Sequence, residues 1–235
     1  MCSEIPKDRI HTLYLSESFS KTKEGKALRE GVKHIELVTD EVFKSLSDTQ
    51  TPQGILALVK QYHYTLEEVA GGSRKCAQAE NLQEKPALLM VLETIQDPGN
   101  LGTILRAGEG AGVTGIVMDA NTADIYNPKV IRSTMGSVYR MPFVYVEHLP
   151  ETLEVLAEAG IHSYAAHLKG KNSYDQEDYT RGTAFLIGNE GNGLRDEVAD
   201  AAECYIKIPM CGEVESLNAA VASSVLMFEA ARQRR

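Results

Sequence analysis

Apolar and polar positions alternate along this chain in two rhythms. Up to residue 70, the short apolar runs 11–15, 35–38 and 55–59 predict strands, the last one buried and preceded by the Pro52-Gln53-Gly54 turn. Residues 20–32 read as an exposed helix or loop. Residues 40–47 read as a helix capped by Asp40, with Glu41 in its first turn. From residue 86 the pattern becomes regular. Strands are predicted at 87–92, 115–118, 143–146, 162–166, 184–187 and 204–208, and helices at 100–112, 128–135, 149–159, 194–199 and 216–232. Strands alternating with helices predict an open, mostly parallel α/β sheet covered on both faces. In the last helix, Leu217, Ala220, Val221, Val225 and Phe228 follow one helical face, and Ala222, Leu226 and Ala230 form a second stripe. Two stripes predict burial on two sides, one against the sheet and one against a second copy of the chain.

The stretch from Ala70 to Lys85 is polar, is broken by Gly71-Gly72 and has no apolar period. It divides the chain into a small α/β unit (1–70), a linker (71–85) and a larger domain (86–235). With 43% apolar and 24% charged residues over 235 positions, the chain can bury a globular core. No apolar run approaches the ~18 residues of a membrane span, and MCSEIPKDRI lacks the features of a signal peptide. The four cysteines, Cys2, Cys76, Cys204 and Cys211, form no C-x-x-C pair, so neither a zinc ribbon nor a redox dithiol is predicted. Reduced thiols and a cytoplasmic location follow. The net charge of −9 is concentrated after residue 85, so contact with nucleic acid requires a local patch or a partner surface.

Three loops that leave strands carry unusual polar residues, and in parallel sheets ligands bind beyond the strands' carboxyl ends. In residues 93–112, Asp97-Pro98-Gly99 reads as a turn and Asn100 as a cap. Arg106 lies one helical turn after Gly102, which leaves its guanidinium room over the strand ends; a surface arginine on an ordinary helix has the same spacing. In residues 185–194, Gly188, Gly191 and Gly193 surround Glu190, whose carboxylate can grip an arginine by bidentate hydrogen bonds. A plain glycine-rich turn is the alternative; neither a P-loop nor a dinucleotide fingerprint is present. In residues 206–233, Pro209 stops the strand, and Ser216 reads as the cap of the closing helix, with Asn218 in its first turn. Lys129, Arg132 and Arg140 form a basic segment in an acidic domain, suited to phosphate or to solvent. His162 and His167 read as structural or surface residues.

In this order, the segments Asn100–Ala107 (N-L-G-x-x-x-R-A), Gly188–Gly193 (G-N-E-G-x-G) and Ile208–Asn218 (I-P-M-x-G-x-x-x-S-L-N) resemble the three motifs of the SpoU/TrmH family of RNA ribose 2′-O-methyltransferases. YNPKVIRSTMGSVYRMPF, residues 126–143, is similar too. HTLYLSES and TPQGILALV resemble parts of the family's substrate-binding domain, which is related to RNA-binding ribosomal proteins. Here that domain looks truncated, because the strand and helix with which members usually begin are missing.

The resemblance implies a C-terminal trefoil knot, a rare exception to unthreaded connections. It implies S-adenosylmethionine held mainly through backbone at Gly188, Ile208, Met210 and Leu217, with no metal. It implies methyl transfer to a ribose 2′-hydroxyl, in ribosomal rather than transfer RNA. Arg106 would help activate or orient that hydroxyl. Asn100, Glu190, Ser216 and Asn218 would orient Arg106 and the ribose, with Glu190 holding the guanidinium. Lys129, Arg132 and Arg140 would contact RNA phosphates, and the chain would form a homodimer. A non-catalytic RNA-binding or assembly factor on the same scaffold remains an alternative, although it predicts a lost motif residue. A base methyltransferase of the wider knotted superfamily is disfavoured by Ser216-Leu217-Asn218 and the arginine motif.

Overall fold

The computed structural model describes residues 5–71 and 86–235. The linker predicted over 71–85 lies, apart from Gly71, outside the described residues. The chain forms two compact units, Met1–Tyr62 and His63–Arg235. The predicted division at residue 70 thus falls after a short helix that belongs to the second unit.

In the first unit, β1 (Ile10–Ser16) lies between β2 (Ile35–Val38), to which it is parallel, and β3 (Ile55–Val59), to which it is antiparallel. Leu13, Leu15 and Phe43 are among its buried side chains. The exposed stretch before β2 is two helices, α1 (Glu17–Ser20) and α2 (Lys23–Arg29), each capped by a hydroxyl, of Ser16 and Thr22. At Gly25 a Cβ would lie 2.2 Å from the Phe19 carbonyl oxygen, so only glycine lets the two helices meet. The cap of α3 (Asp40–Leu46) is Thr39, whose hydroxyl accepts the Val42 amide at 3.2 Å, and not Asp40. Asp40 instead accepts the Ser18 hydroxyl at 2.6 Å and the Ser18 amide at 3.2 Å. Hydrogen bonds from the Ser18 and Ser16 side chains hold its carboxyl below the usual range.

The second unit opens with α4 (Leu66–Ala70), begun by a capping box between Thr65 and Glu68. Seven parallel strands follow: β4 (Leu88–Leu92), β5 (Gly115–Asp119), β6 (Phe143–Val146), β7 (His162–Ala166), the two-residue β8 (Asn172–Ser173), β9 (Thr183–Ile187) and β10 (Cys204–Lys207). Their spatial order is β6-β5-β4-β9-β7-β10-β8. β4, β5 and β9 are buried at every position, which is why they read as unbroken apolar runs. One face of the sheet, through Leu89, Val91, Val117, Ala165 and Leu186, is covered by Val69 of α4, by Leu149, Leu153 and Leu156 of α7 (Leu149–Glu158), and by Val198 and Ala199 of α8 (Asp196–Asp200). α5 (Pro98–Ala111), α6 (Pro128–Ser133) and α9 (Ala219–Gln233) complete the layers; α5 packs against both of the others, and α9 also against β9.

Two helix predictions change here. α9 starts at Ala219, and its buried face is Ala219, Ala220, Ser223, Leu226, Met227 and Ala230. Val221 and Phe228, predicted to share a packing face with Ala220, are 50% and 48% exposed. The small Ala and Ser side chains are what allow α9 to lie close to α5. The end of the chain is stapled: the Arg234 guanidinium donates to the carbonyls of Tyr179, Pro86, Ala87 and Arg181 at 2.7, 2.8, 3.1 and 2.5 Å.

Candidate active site

Strand succession reverses at β4: the chain steps outward through β5 and β6, then crosses to the other side for β7, β9 and β10. Such a switch point leaves a crevice at the carboxyl ends of the strands. The loops predicted to carry chemistry follow β4, β9 and β10.

The cap of α5 is Asp97, which accepts the amides of Gly99 (2.5 Å) and Asn100 (3.2 Å), with Pro98 at the first helical position. Asn100 is therefore inside the first turn and not its cap. Freed from capping, its side chain bridges two other loops. Its Nδ2 donates to Glu190 Oε1 at 3.0 Å, and its Oδ1 accepts from Asn218 Nδ2 at 3.0 Å. Glu190 also accepts the Asp97 amide at 3.4 Å, at the positive end of the α5 dipole. The carboxylate predicted to hold Arg106 thus holds Asn100. The Arg106 side chain is exposed and makes no hydrogen bond or ion pair with any described residue. The space predicted to be open beside Gly102 is filled: a Cβ there would lie 1.9 Å from Ser133 Oγ, so this glycine serves α5–α6 packing.

After β9 the chain folds back on itself. Asn189 and Gly193 exchange backbone hydrogen bonds at 3.0 and 2.9 Å, and Gly193 has φ +70°. A Cβ on Gly188 would meet the Gly193 carbonyl carbon at 2.1 Å, so this position must be glycine for the loop's own sake. The Asn189 side chain organises the turn. Its Oδ1 accepts the Gly191 and Asn192 amides, and its Nδ2 donates to the Thr94 carbonyl at 2.9 Å.

After β10 the picture is sparser. Asn218, not Ser216, caps α9, accepting the amides of Ala220 and Val221. Residues 208–217 are irregular and make no hydrogen bond among the described residues. Ile208 and Leu217 are half-buried, Met210 is 37% exposed, and Ser216 is exposed without a partner. The structure thus joins Asn100, Glu190 and Asn218 directly and leaves Arg106 and Ser216 outside that cluster.

The basic segment is also divided. Arg140 is paired with Glu109, its Nη2 at 2.9 Å from one carboxylate oxygen. The Arg132 Nε donates to the Pro128 carbonyl, while the Lys129 amine is exposed. His162 pairs with Glu203 at 2.7 Å, and His167 packs edge-on to Tyr205. Among the described residues no group of three or more His, Cys, Asp or Glu side chains could hold a metal, and no helix is long and apolar enough to cross a membrane.

Four residues under the loops were not anticipated. Glu93, 2% exposed at the end of β4, accepts both the Arg195 amide (2.8 Å) and the Arg195 Nε (2.5 Å). Thr94 has the left-handed φ of +55° and donates its amide and hydroxyl to Asp119 at 2.8 and 2.7 Å. Burial works to raise the Asp119 carboxyl, but donors from Thr94, Thr122 and Asn121 outweigh it and hold it below the usual range. The available signal was that Glu93 and Asp119 are carboxylates at the ends of wholly apolar strands, where a buried charge needs a partner.

Residues 87–228 match the SpoU rRNA Methylase family, and residues 4–65 match RNA 2′-O ribose methyltransferase substrate binding. The 23S rRNA (guanosine(2553)-2′-O)-methyltransferase RlmP of Bacillus subtilis is 30% identical over 192 residues, 82% of this chain and 70% of that protein. The SpoU methyltransferase AviRb from Streptomyces viridochromogenes superposes with a TM-score of 0.80 at 26% identity, over 96% of this chain and 82% of that one. An AdoMet-bound rRNA methyltransferase from Sinorhizobium meliloti superposes at 0.76 with 28% identity, over 95% and 80%.

Proposed function

The chain belongs to the SpoU methylase family, and on that premise we propose that it transfers a methyl group from S-adenosylmethionine to a ribose 2′-hydroxyl of structured RNA, ribosomal rather than transfer RNA. The observation that carries this reading is the side-chain relay Glu190–Asn100–Asn218, which ties the loops after β9 and β4 to the start of α9 at one sheet end.

Gly188, Ile208, Met210 and Leu217 would hold the cofactor. The chemistry fits: one position offers backbone without a side chain, and three offer partly uncovered apolar surface at the strand ends. S-adenosylmethionine supplies a methyl group already activated as a sulfonium, so the protein's work is to place the hydroxyl and favour loss of its proton. A guanidinium is protonated at neutral pH and is a poor base. Arg106, exposed and unpaired, orients the hydroxyl and stabilises the negative charge that grows on its oxygen. Asn100, held between Glu190 and Asn218, keeps a fixed amide beside the ribose. Ser216 would join them, and Lys129, Arg132 and Arg140 would supply phosphate contacts.

A homodimer, a C-terminal trefoil knot and a cytoplasmic location belong to the same proposal. The outward-facing Val221 and Phe228 support the dimer, and the seating of β9 between β4 and β7, with α9 against α5, supports the knot. Light scattering at micromolar concentration is expected to give twice the chain mass; a monomer mass would refute the dimer.

The test of the reaction is to incubate the chain with methyl-labelled S-adenosylmethionine and either ribosomal or transfer RNA, then digest to nucleosides. Label is expected in 2′-O-methylated nucleosides of ribosomal RNA. Label on a base would make the chain a base methyltransferase. No label on either RNA from a folded, cofactor-binding chain would favour the non-catalytic RNA-binding role.

A further inference from the structure

The geometry points to Arg195 as a fixed ligand for a backbone phosphate of the RNA, held in place by the buried Glu93. This rests on the RNA-methylating reading and adds a contact that none of the three motifs supplies.

Glu93 stands at the carboxyl end of the fully buried strand β4, 2% exposed, with its own amide bonded to the Ile187 carbonyl at 2.9 Å. Taking a carboxylate out of water costs several kcal/mol, and an apolar replacement is often as stable as a buried ion pair, so such a pair is weak evidence for a purely stabilising role. Glu93 meets this cost with two donors from one residue, the amide and the Nε of Arg195. These bonds fix both the base of the Arg195 side chain and one edge of its guanidinium. The rest of the group faces outward. The side chain is 63% exposed; the Glu197 carboxylate lies 3.7 Å from Nη1, and the Asp119 charge also acts on the guanidinium.

A guanidinium with one edge locked and the other presented to solvent is pre-organised for an oxyanion, because less side-chain freedom is lost on contact. Its place matters equally. Arg195 directly follows the loop that carries Glu190, on the sheet end where the ribose would be methylated. In a chain of net charge −9, attraction to RNA has to be local. An anchored arginine aimed outward from the strand ends answers that need. A rival oxyanion is the carboxylate of the cofactor, and the experiment separates the two.

The probe is a fluorescein-labelled RNA hairpin of mixed sequence, titrated with wild type, Arg195→Ala and Arg195→Lys at several salt concentrations, with S-adenosylmethionine affinity measured by calorimetry on each protein. A lost phosphate contact weakens binding alike for all sequences and lowers the salt dependence by about one ion. Arg195→Ala is expected to weaken hairpin binding about tenfold, to reduce the salt slope by about one, and to leave cofactor affinity within about twofold. Arg195→Lys keeps a cation for Glu93, which protects the fold if the alanine variant is unstable. Its single nitrogen cannot serve the carboxylate and a phosphate on two edges, so it is expected to show the same loss of slope. Hairpin binding and slope unchanged in both variants would overturn the proposal, as would a loss confined to cofactor affinity. A wild-type chain that binds no hairpin at any salt concentration would overturn the RNA reading and this proposal together.

Discussion

Two loops of one site are built in opposite ways. The loop after β9 is bonded throughout: Asn189 to Thr94, Gly191 and Asn192, Glu190 to Asn100, and Arg195 to Glu93. The loop after β10 runs from Ile208 to Leu217 without a hydrogen bond among the described residues, and is anchored only where Asn218 begins α9. Ordering a residue costs ~1–2 kcal/mol of backbone entropy, while an internal hydrogen bond returns ~0.5–1.5 kcal/mol. The first loop offsets its own ordering and holds its shape before anything binds. The second depends on what it meets, whether cofactor or a second copy of the chain. This division suits a site in which Glu190 must stand ready and the apolar residues Ile208, Met210 and Leu217 close on a ligand.

The largest expected effect falls on neither loop. Arg106→Ala is expected to slow single-turnover methylation by ~10²–10⁴ while cofactor affinity, read by calorimetry, changes by about twofold or less. A rate within twofold of wild type would remove Arg106 from the chemistry. The contrast between the loops is sharpened by cofactor binding. S-adenosylmethionine at about a hundred times its Kd is expected to stabilise the fold by ~2.7 kcal/mol, with new hydrogen-exchange protection concentrated in residues 208–217 and little added in 188–195. Protection of equal size in both would break the contrast. Next in size, Asn189→Ala is expected to cost ~1–3 kcal/mol in urea unfolding, since it leaves loop amides and the Thr94 carbonyl unpaired. Glu213→Ala in the open loop is expected to stay within ~0.5 kcal/mol.

The smallest effect is on pH. The folded Asp119 carboxyl lies below its unfolded value, so its contribution is present at neutral pH and is lost as pH falls below about 4, through the folded value. Asp119→Asn is expected to flatten the acid limb of the stability profile. An unchanged limb would show that Thr94 keeps its conformation without the carboxylate.

Much of this fold was legible because the strands of a doubly covered sheet are plain apolar runs; 115–118 and 143–146 stand within a residue of where the periodicity put them. The strand order was not legible, because placing β9 beside β4 depends on pairing residues 95 apart, such as Leu88 with Thr183, that no local pattern encodes. At α3, α5 and α9 the cap is not the predicted residue, although two candidates stood close together at each. At the first two a distant competitor decided the choice. Ser18 draws the Asp40 carboxylate away and leaves Thr39 to cap α3. Glu190 draws Asn100 and leaves Asp97 to cap α5. At α9 the winner, Asn218, both caps and reaches Asn100. The identities of three site residues were therefore visible in the motifs, but the partner of Glu190 was not, because an arginine and an asparagine both satisfy a carboxylate and only the folded distances choose.

Asn100 is the hub that joins the loops, and the variant Asn218→Asp isolates that role. Aspartate caps a helix as well as asparagine does, so any loss of unfolding stability is expected to come from the Asn100 contact alone, ~1–3 kcal/mol. It removes the amide that donates to Asn100 Oδ1 and sets a carboxylate oxygen there instead. Turning the Asn100 amide over would only move the oxygen-to-oxygen contact to Glu190. Leaving one such group unsatisfied costs ~1–3 kcal/mol, so single-turnover methylation is expected to fall by ~5–150-fold. A folded Asn218→Asp protein that methylates at the wild-type rate would contradict the account.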